Sequence, residues 1–194
     1  MWEPEPYVLD LSDVIRLSDE ELLRICAANP DLQIEQNSAG QLEIMSPAGP
    51  SSSARAAQLV LALGRWNEER EAGVVFDGTA GFRLPNGALR AADVAWLDRD
   101  AWQRLTPEQR EKFAHVVPDF LVEIRSPSDR LAHVRGKMDE WMENGCRLAW
   151  LVDPAEQQIH VYRHGHAVET ADFHTTLTGY DILPGFTFDP RTLP

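Results

Sequence analysis

Apolar positions along the chain fall into two rhythms that alternate with each other: a spacing of three to four residues and a strict every-second-residue alternation. The first marks one face of a helix and the second a half-buried strand. Residues 19–28 read as a helix. Ser18 stands as N-cap with Glu21 three residues on, and Leu17 and Leu22 have the spacing of a hydrophobic staple. Asn29-Pro30 stops it, because the residue before a proline is pushed out of the helical region. Residues 32–35 and 42–45 alternate around the turn-forming Asn37-Ser38-Ala39-Gly40, which predicts a hairpin. After the Ser46-Pro47-Ala48-Gly49-Pro50 loop, Ala56, Leu59, Val60, Leu63 and Trp66 define one face of a long helix over about 52–70.

Strand character resumes at 74–76. The runs 81–84 and 88–97 flank Pro85-Asn86-Gly87, and Asn-Gly between alternating runs is a strong hairpin signal. Thr106-Pro107-Glu108-Gln109 opens a short helix with its own capping residues. Residues 120–124 form a continuous apolar run, the mark of a strand covered on both faces. A helix over about 129–144 follows, closed by Gly145. Strands at 147–153 and 158–163 come next, and the apolar 182–186 packs on the body. Residues 1–16 alternate acidic and apolar positions, as an edge segment would. Strands and helices interleaved in this way predict one α/β (α+β) domain spanning 1–194: a mixed central sheet flanked by helices, with β-hairpin additions.

Composition narrows the class. At 194 residues, 43% hydrophobic and 25% charged, the chain is an ordinary globular length and mixture. No apolar run reaches the ~20 residues a membrane span needs. The start, with Glu3, Glu5 and Asp10, lacks the basic and apolar regions of a secretory signal. Cys26 and Cys146 are too few and too distant for a disulfide framework or a cysteine-based zinc site, and are expected as buried thiols. A cytoplasmic location is the expectation. The net charge of −13 argues against tight non-specific binding to nucleic acid, which usually meets a basic face.

Candidate chemistry begins with a carboxylate in the wrong place. Glu123 lies inside the apolar 120–124 run, and an ionised carboxylate taken out of water needs a cation, a metal or hydrogen-bond donors. Asp93 sits likewise among small and apolar residues in 91–97. On the helix after Glu123, Leu131, Val134, Met138, Trp141 and Met142 form an apolar stripe, and Lys137 lies at its border, directed toward the sheet. Each residue has a plain structural reading. Lys137 lays its stem over the core edge; Asp93 and Glu123 each pair with an arginine or cap a turn, with Arg125 one partner available to Glu123. Together, two mid-strand acids and a border lysine shift the balance toward a metal site for a hard, oxygen-seeking ion such as Mg²⁺ or Mn²⁺. The six histidines show no zinc-ligand spacing and are expected at the surface or in hairpins. No glycine-rich phosphate loop or nucleophile elbow is present. The tryptophans fall on apolar faces and read as core.

The order Asp93, Glu123 within Val122-Glu123-Ile124-Arg125-Ser126-Pro127-Ser128, Lys137, Gly145 and Trp150-Leu151-Val152-Asp153-Pro154 resembles the bacterial putative restriction-endonuclease family of the PD-(D/E)xK nuclease superfamily. Glu35 ahead of a glycine-containing hairpin, Met45-Ser46-Pro47, and Gly81-Phe82-Arg83-Leu84-Pro85-Asn86-Gly87 add to the likeness, which covers roughly 29–187. The resemblance implies a restriction-endonuclease-like fold and metal-dependent hydrolysis of DNA, with a homodimer placing two sites on two strands. It implies Asp93, Glu123 and the Ile124 carbonyl as ligands of Mg²⁺ or Mn²⁺, Lys137 as the catalytic lysine carried on the helix, and Glu35 as an auxiliary acid. Ala92 stands where the family pattern has proline, and Arg125 where it has lysine; an arginine there is no base at neutral pH. The competing reading is a catalytically silent nuclease-like fold that serves as a binding or assembly module.

Overall fold

The structure, a computed structural model, describes residues 6–11, 13–45 and 47–194. Residues 1–5, Ser12 and Ser46, which belong to the sequence features set out above, lie outside the described residues. The elements run β1 (Tyr7–Leu9), α1 (Asp19–Ala28), β2 (Gln33–Gln36), β3 (Leu42–Met45), α2 (Pro50–Arg70), β4 (Gly73–Asp77), β5 (Phe82–Arg83), β6 (Leu89–Arg90) and β7 (Val94–Asp98). They continue α3 (Arg99–Arg104), α4 (Pro107–Glu111), β8 (Phe120–Ile124), α5 (Leu131–Glu143), β9 (Leu148–Asp153), β10 (Gln158–Arg163), β11 (Glu169–Asp172), β12 (Leu177–Thr178) and β13 (Thr187–Phe188).

Local chemistry explains most of these boundaries. Ser18 accepts from the Glu21 backbone while Glu21 Oε2 accepts from the Ser18 backbone at 2.8 Å, so α1 opens on the expected capping box. Thr106 and Gln109 make the same reciprocal pair at the start of α4. Proline at the first position lets α2 begin at Pro50, two residues before the expected start at 52, since that residue has no intrahelical N–H bond to lose. At the end of α5, Gly145 adopts φ +109° and its N–H bonds the Met142 carbonyl, while Cys146 N–H reaches Trp141. A side chain at 145 would be strained in that left-handed turn. The short helix α3 has no counterpart in the apolar spacing; Asp98 caps it by accepting from the Asp100 N–H at 2.8 Å.

Six strands form the central sheet in the order β11-β10-β9-β8-β7-β4. Only β8 and β9 run parallel, joined through α5; the other pairings are antiparallel, as a mixed sheet requires. One face, with Val94, Trp96, Phe120, Val122, Ile124 and Trp150, packs on α2 and on the C-terminal Leu183, Phe186 and Phe188. The opposite face, with Ala95, Leu97, Leu121, Ala149 and Leu151, packs on Val134, Met138 and Trp141 of α5. A second sheet, ordered β1-β3-β2-β6-β5, carries the hairpins, and β1 lies on its edge as the alternation of the N-terminal segment suggests.

The run 88–97 is not one strand. Residues 89–90 pair with β5 and β2 in the second sheet, and 94–98 pair with β4 and β8 in the central one. Ala91, Ala92 and Asp93 are the crossing between sheets. Asp93 therefore stands one residue before β7, which corrects its expected mid-strand place. Cys146 is buried as expected, but Cys26 is only half-buried, at the end of the amphipathic α1. No described helix is long and apolar enough to cross a membrane.

Candidate active site

The β7–β8 ladder pairs Trp96 with Phe120, Ala95 with Leu121 and Val94 with Val122. One step further on, the register sets Asp93 against Glu123, and both share the face of Ala95, Leu97 and Leu121 that looks toward α5. There the strands part. The Ile124 N–H donates to Asp93 Oδ2 at 2.7 Å instead of to a backbone carbonyl of β7. The parted ends open on a cavity of about 340 Å³ whose lining includes Asp93, Glu123, Ile124, Asp129, His133 and Lys137.

Glu123 is 6% exposed, and its Oε1 accepts from the Trp141 indole N–H at 3.0 Å. Lys137 Nζ lies 3.0 Å from the same oxygen, 2.9 Å from Glu35 Oε1 and 2.8 Å from the Ala91 carbonyl oxygen. An ammonium has three donors, and these acceptors match all three. The lysine thus points inward, into the acids, rather than snorkelling over the core edge. Its helical position supplies the reason: Val134, Met138 and Trp141 hold that face of α5 against the sheet. Burial raises the Glu123 carboxyl to about 7, and the neighbouring Asp93 and Glu35 charges add to the rise against the opposing pull of Lys137. Burial also raises Asp93. Glu35, 2% exposed, is pushed up by burial, yet Lys137 and Arg90 outweigh that push and hold it below the ordinary glutamate range. Lys137 itself is held above its ordinary value because the Glu123 and Glu35 charges outweigh its burial.

Arg125 is not the partner of Glu123. The strand ends at Ile124, so the alternation that would carry residue 125 to the same face stops; Arg125 instead bonds Asp153 Oδ2 at 2.8 Å and the Asp129 carbonyl at 3.2 Å. It ties the end of β9 to the 126–129 loop and does not line the cavity.

Two neighbours of the site escaped the sequence reading. Arg90, 6% exposed, donates to Glu35 Oε2 at 3.0 Å and to Glu140 Oε2 at 2.5 Å, and also binds Glu43. The signal was present: the hairpin register sets Glu35 directly opposite Glu43, and two like charges on one buried face call for a cation. Trp141 looked like core and is core, yet its indole N–H also holds Glu123. The histidines divide. His133 is exposed at the cavity, while His160, expected near the surface, is buried in β10 with Nδ1 3.0 Å from the Thr170 hydroxyl. Among the described residues no group of three or more histidine, cysteine, aspartate or glutamate side chains is arranged to hold a metal. A site here would rest on two carboxylates and the main chain.

A family model described as "Uma2: Putative restriction endonuclease" matches residues 19–191. The chain belongs to that family. Among solved structures, a "putative nuclease belonging to DUF820 from Anabaena variabilis" has the same fold: 19% identity and a TM-score of 0.72, covering 91% of this chain and 97% of that one. No curated protein matches the chain. Within the restriction-endonuclease family frame, the expected α+β architecture is the one observed, with the parted ends of β7 and β8 facing α5.

Proposed function

We propose that this protein is a Mg²⁺- or Mn²⁺-dependent endonuclease that hydrolyses DNA phosphodiester bonds, acting in the cytoplasm as a homodimer so that two sites meet two strands. The observation that carries this reading is Glu123: a buried carboxyl, opposite Asp93 and against Lys137, at the wall of an open cavity.

The residues suit a hard divalent cation. Among the described residues no hydrogen bond reaches Asp93 Oδ1 or Glu123 Oε2, so each acid keeps one oxygen available beside the cavity. Asp93 and Glu123, with the Ile124 carbonyl, would hold the ion; the donors are all oxygen, as Mg²⁺ and Mn²⁺ prefer. When bound, the metal would make a water nucleophilic near neutral pH and stabilise the leaving oxygen. Lys137 stays protonated, so its part is positive charge near the phosphoryl group rather than proton abstraction. Glu35 fixes the ammonium in place and Arg90 fixes Glu35, an auxiliary role for that acid through Lys137.

A non-catalytic module is the second reading. Two observations favour it: Lys137 has all three donors engaged within the protein, and the net charge is −13. Plasmid cleavage with Mg²⁺ or Mn²⁺, for the wild type, Glu123→Gln and Lys137→Ala, decides between them. Hydrolysis that needs the metal and falls at least a hundredfold in both variants supports the nuclease. Absence of cleavage in the wild type, or equal residual cleavage in all three proteins, overturns it.

A further inference from the structure

Two donors of α5 converge on one oxygen. Lys137 and Trp141 stand four residues apart on the same helical face, and both reach Glu123 Oε1: the ammonium at 3.0 Å and the indole N–H at 3.0 Å. Among the described residues Glu123 Oε2 takes no hydrogen bond, and Glu123 lines the cavity. The main chain treats Asp93 alike, since the Ile124 N–H occupies its Oδ2 at 2.7 Å. Each acid therefore has one oxygen held by the protein and one left over.

The two donors are not equivalent. Lys137 shares its ammonium with Glu35 Oε1 at 2.9 Å and the Ala91 carbonyl at 2.8 Å, and a flexible lysine stem can follow an acceptor that moves. Trp141 cannot. Its side chain is fully buried, its ring meets Phe82 edge-on with centroids 6.4 Å apart, and its one N–H goes to Glu123. A donor fixed in a packed core fixes the plane of the carboxylate it holds, as partners behind a metal ligand do. Trp141 does not line the cavity, so whatever it does there passes through Glu123.

A carboxylate held in one plane with one oxygen engaged offers an ion the other oxygen alone. That matters for the choice of ion. Ca²⁺ fills a larger and more flexible shell that often includes a carboxylate bound through both oxygens, whereas Mg²⁺ takes a compact octahedron from one or two carboxylates and water. We infer that Trp141 is a positioning residue for the metal: by holding Oε1 it presents Oε2 of Glu123, and so sets both the affinity for the ion and the preference for Mg²⁺ over Ca²⁺. The inference rests on the metal-dependent reading for the presence of an ion at Asp93 and Glu123. It assigns to a core tryptophan, outside the cavity, a part in how that ion is chosen.

The test titrates the full chain, labelled with ¹⁵N and free of DNA, with Mg²⁺ and separately with Ca²⁺. In the wild type the Ile124 amide and the Trp141 indole N–H resonances are expected to shift saturably with Mg²⁺. In Trp141→Phe, followed at the Ile124 amide, Mg²⁺ affinity is expected to fall by about ten- to a hundredfold. Ca²⁺ affinity should fall by much less, because a carboxylate freed to turn can offer both oxygens, so the ratio of the two affinities drops. Met138→Ala empties part of the same buried helix face without removing a donor; it should lower the melting temperature and leave both affinities close to the wild type. Unchanged affinities in Trp141→Phe, or an equal loss of Mg²⁺ in Met138→Ala, overturns the inference. So does an indole resonance in the wild type that ignores Mg²⁺, which decides the matter even where Trp141→Phe does not fold. A wild type that binds Mg²⁺ with this dependence on Trp141 yet cleaves no plasmid keeps the positioning role and rejects the nuclease. A wild type that cleaves with Mg²⁺, while Trp141→Phe binds both ions as the wild type does, rejects the role and keeps the nuclease.

Discussion

Glu123 carries a liability that its proposed role explains. In the unfolded chain its carboxyl ionises near 4.5, and in the folded protein near 7. Between those values the folded state holds a proton that the unfolded state has released, so the stability of the metal-free protein falls as pH rises from about 4.5 to about 7. Above that window the folded state bears the full penalty of a buried carboxylate. Glu123→Gln keeps the shape and removes the charge. It is therefore expected to unfold at a higher temperature than the wild type at pH 8, by an amount on the order of 1–3 kcal/mol, with little difference at pH 4. Thermal unfolding at the two pH values without metal checks this; a variant less stable than the wild type at pH 8 would count against Glu123 being a strained acid. Lys137 should behave oppositely. Removing it strands Glu123 without its cation and leaves Glu35 to Arg90 alone, and Lys137→Met is expected to cost about 3–5 kcal/mol in urea unfolding.

At the scale of elements, the acidic hairpin is held by one arginine. Glu35 and Glu43 face each other across β2 and β3, and Arg90 bridges both while reaching Glu140 on α5. Arg90 thus joins the second sheet to the helix that carries Lys137. Arg90→Met is expected to lose about 3–5 kcal/mol, because buried Glu43 loses its cation and Glu35 keeps only Lys137. Adding Glu43→Gln to Arg90→Met should recover part of that loss, and a double-mutant cycle in urea measures the coupling. If the two losses simply add, Arg90 does not hold the hairpin through Glu43. This network also marks where the sequence stopped being readable. Helices α1, α4 and α5 and the strands β8 to β10 were legible because capping residues and apolar periodicity are local signals. Asp93, Glu123 and Lys137 were legible as neighbours because strand, helix and strand follow one another around them. Arg90 was not, since its three acids come from sites 47 to 55 residues away and only the tertiary fold brings them together. The break of 88–97 between two sheets was hidden for the same reason: alternation reports which face is buried, not which sheet does the burying.

For the molecule as a whole, charge is the quantity that any nucleic-acid reading must meet. With 18 basic and 31 acidic residues the protein's net charge opposes DNA at long range rather than speeding the encounter. On the proposed reading, binding would depend on local devices: a divalent ion at Asp93 and Glu123 and the Lys137 ammonium. Each would engage few phosphates, and the divalent ion does so without a lysine or arginine. The affinity should consequently vary weakly with salt, since the slope of log affinity against log salt follows the number of phosphates neutralised, at about −0.9 per phosphate. For a short duplex bound to Glu123→Gln with Mn²⁺ present, fluorescence anisotropy is expected to give a slope shallower than about −4. The same duplex without the divalent ion should bind too weakly to detect at physiological salt. A steep slope, or binding that ignores the ion, would mean that the protein meets DNA through a basic surface elsewhere, and the cavity between β7, β8 and α5 would lose its place as the point of contact.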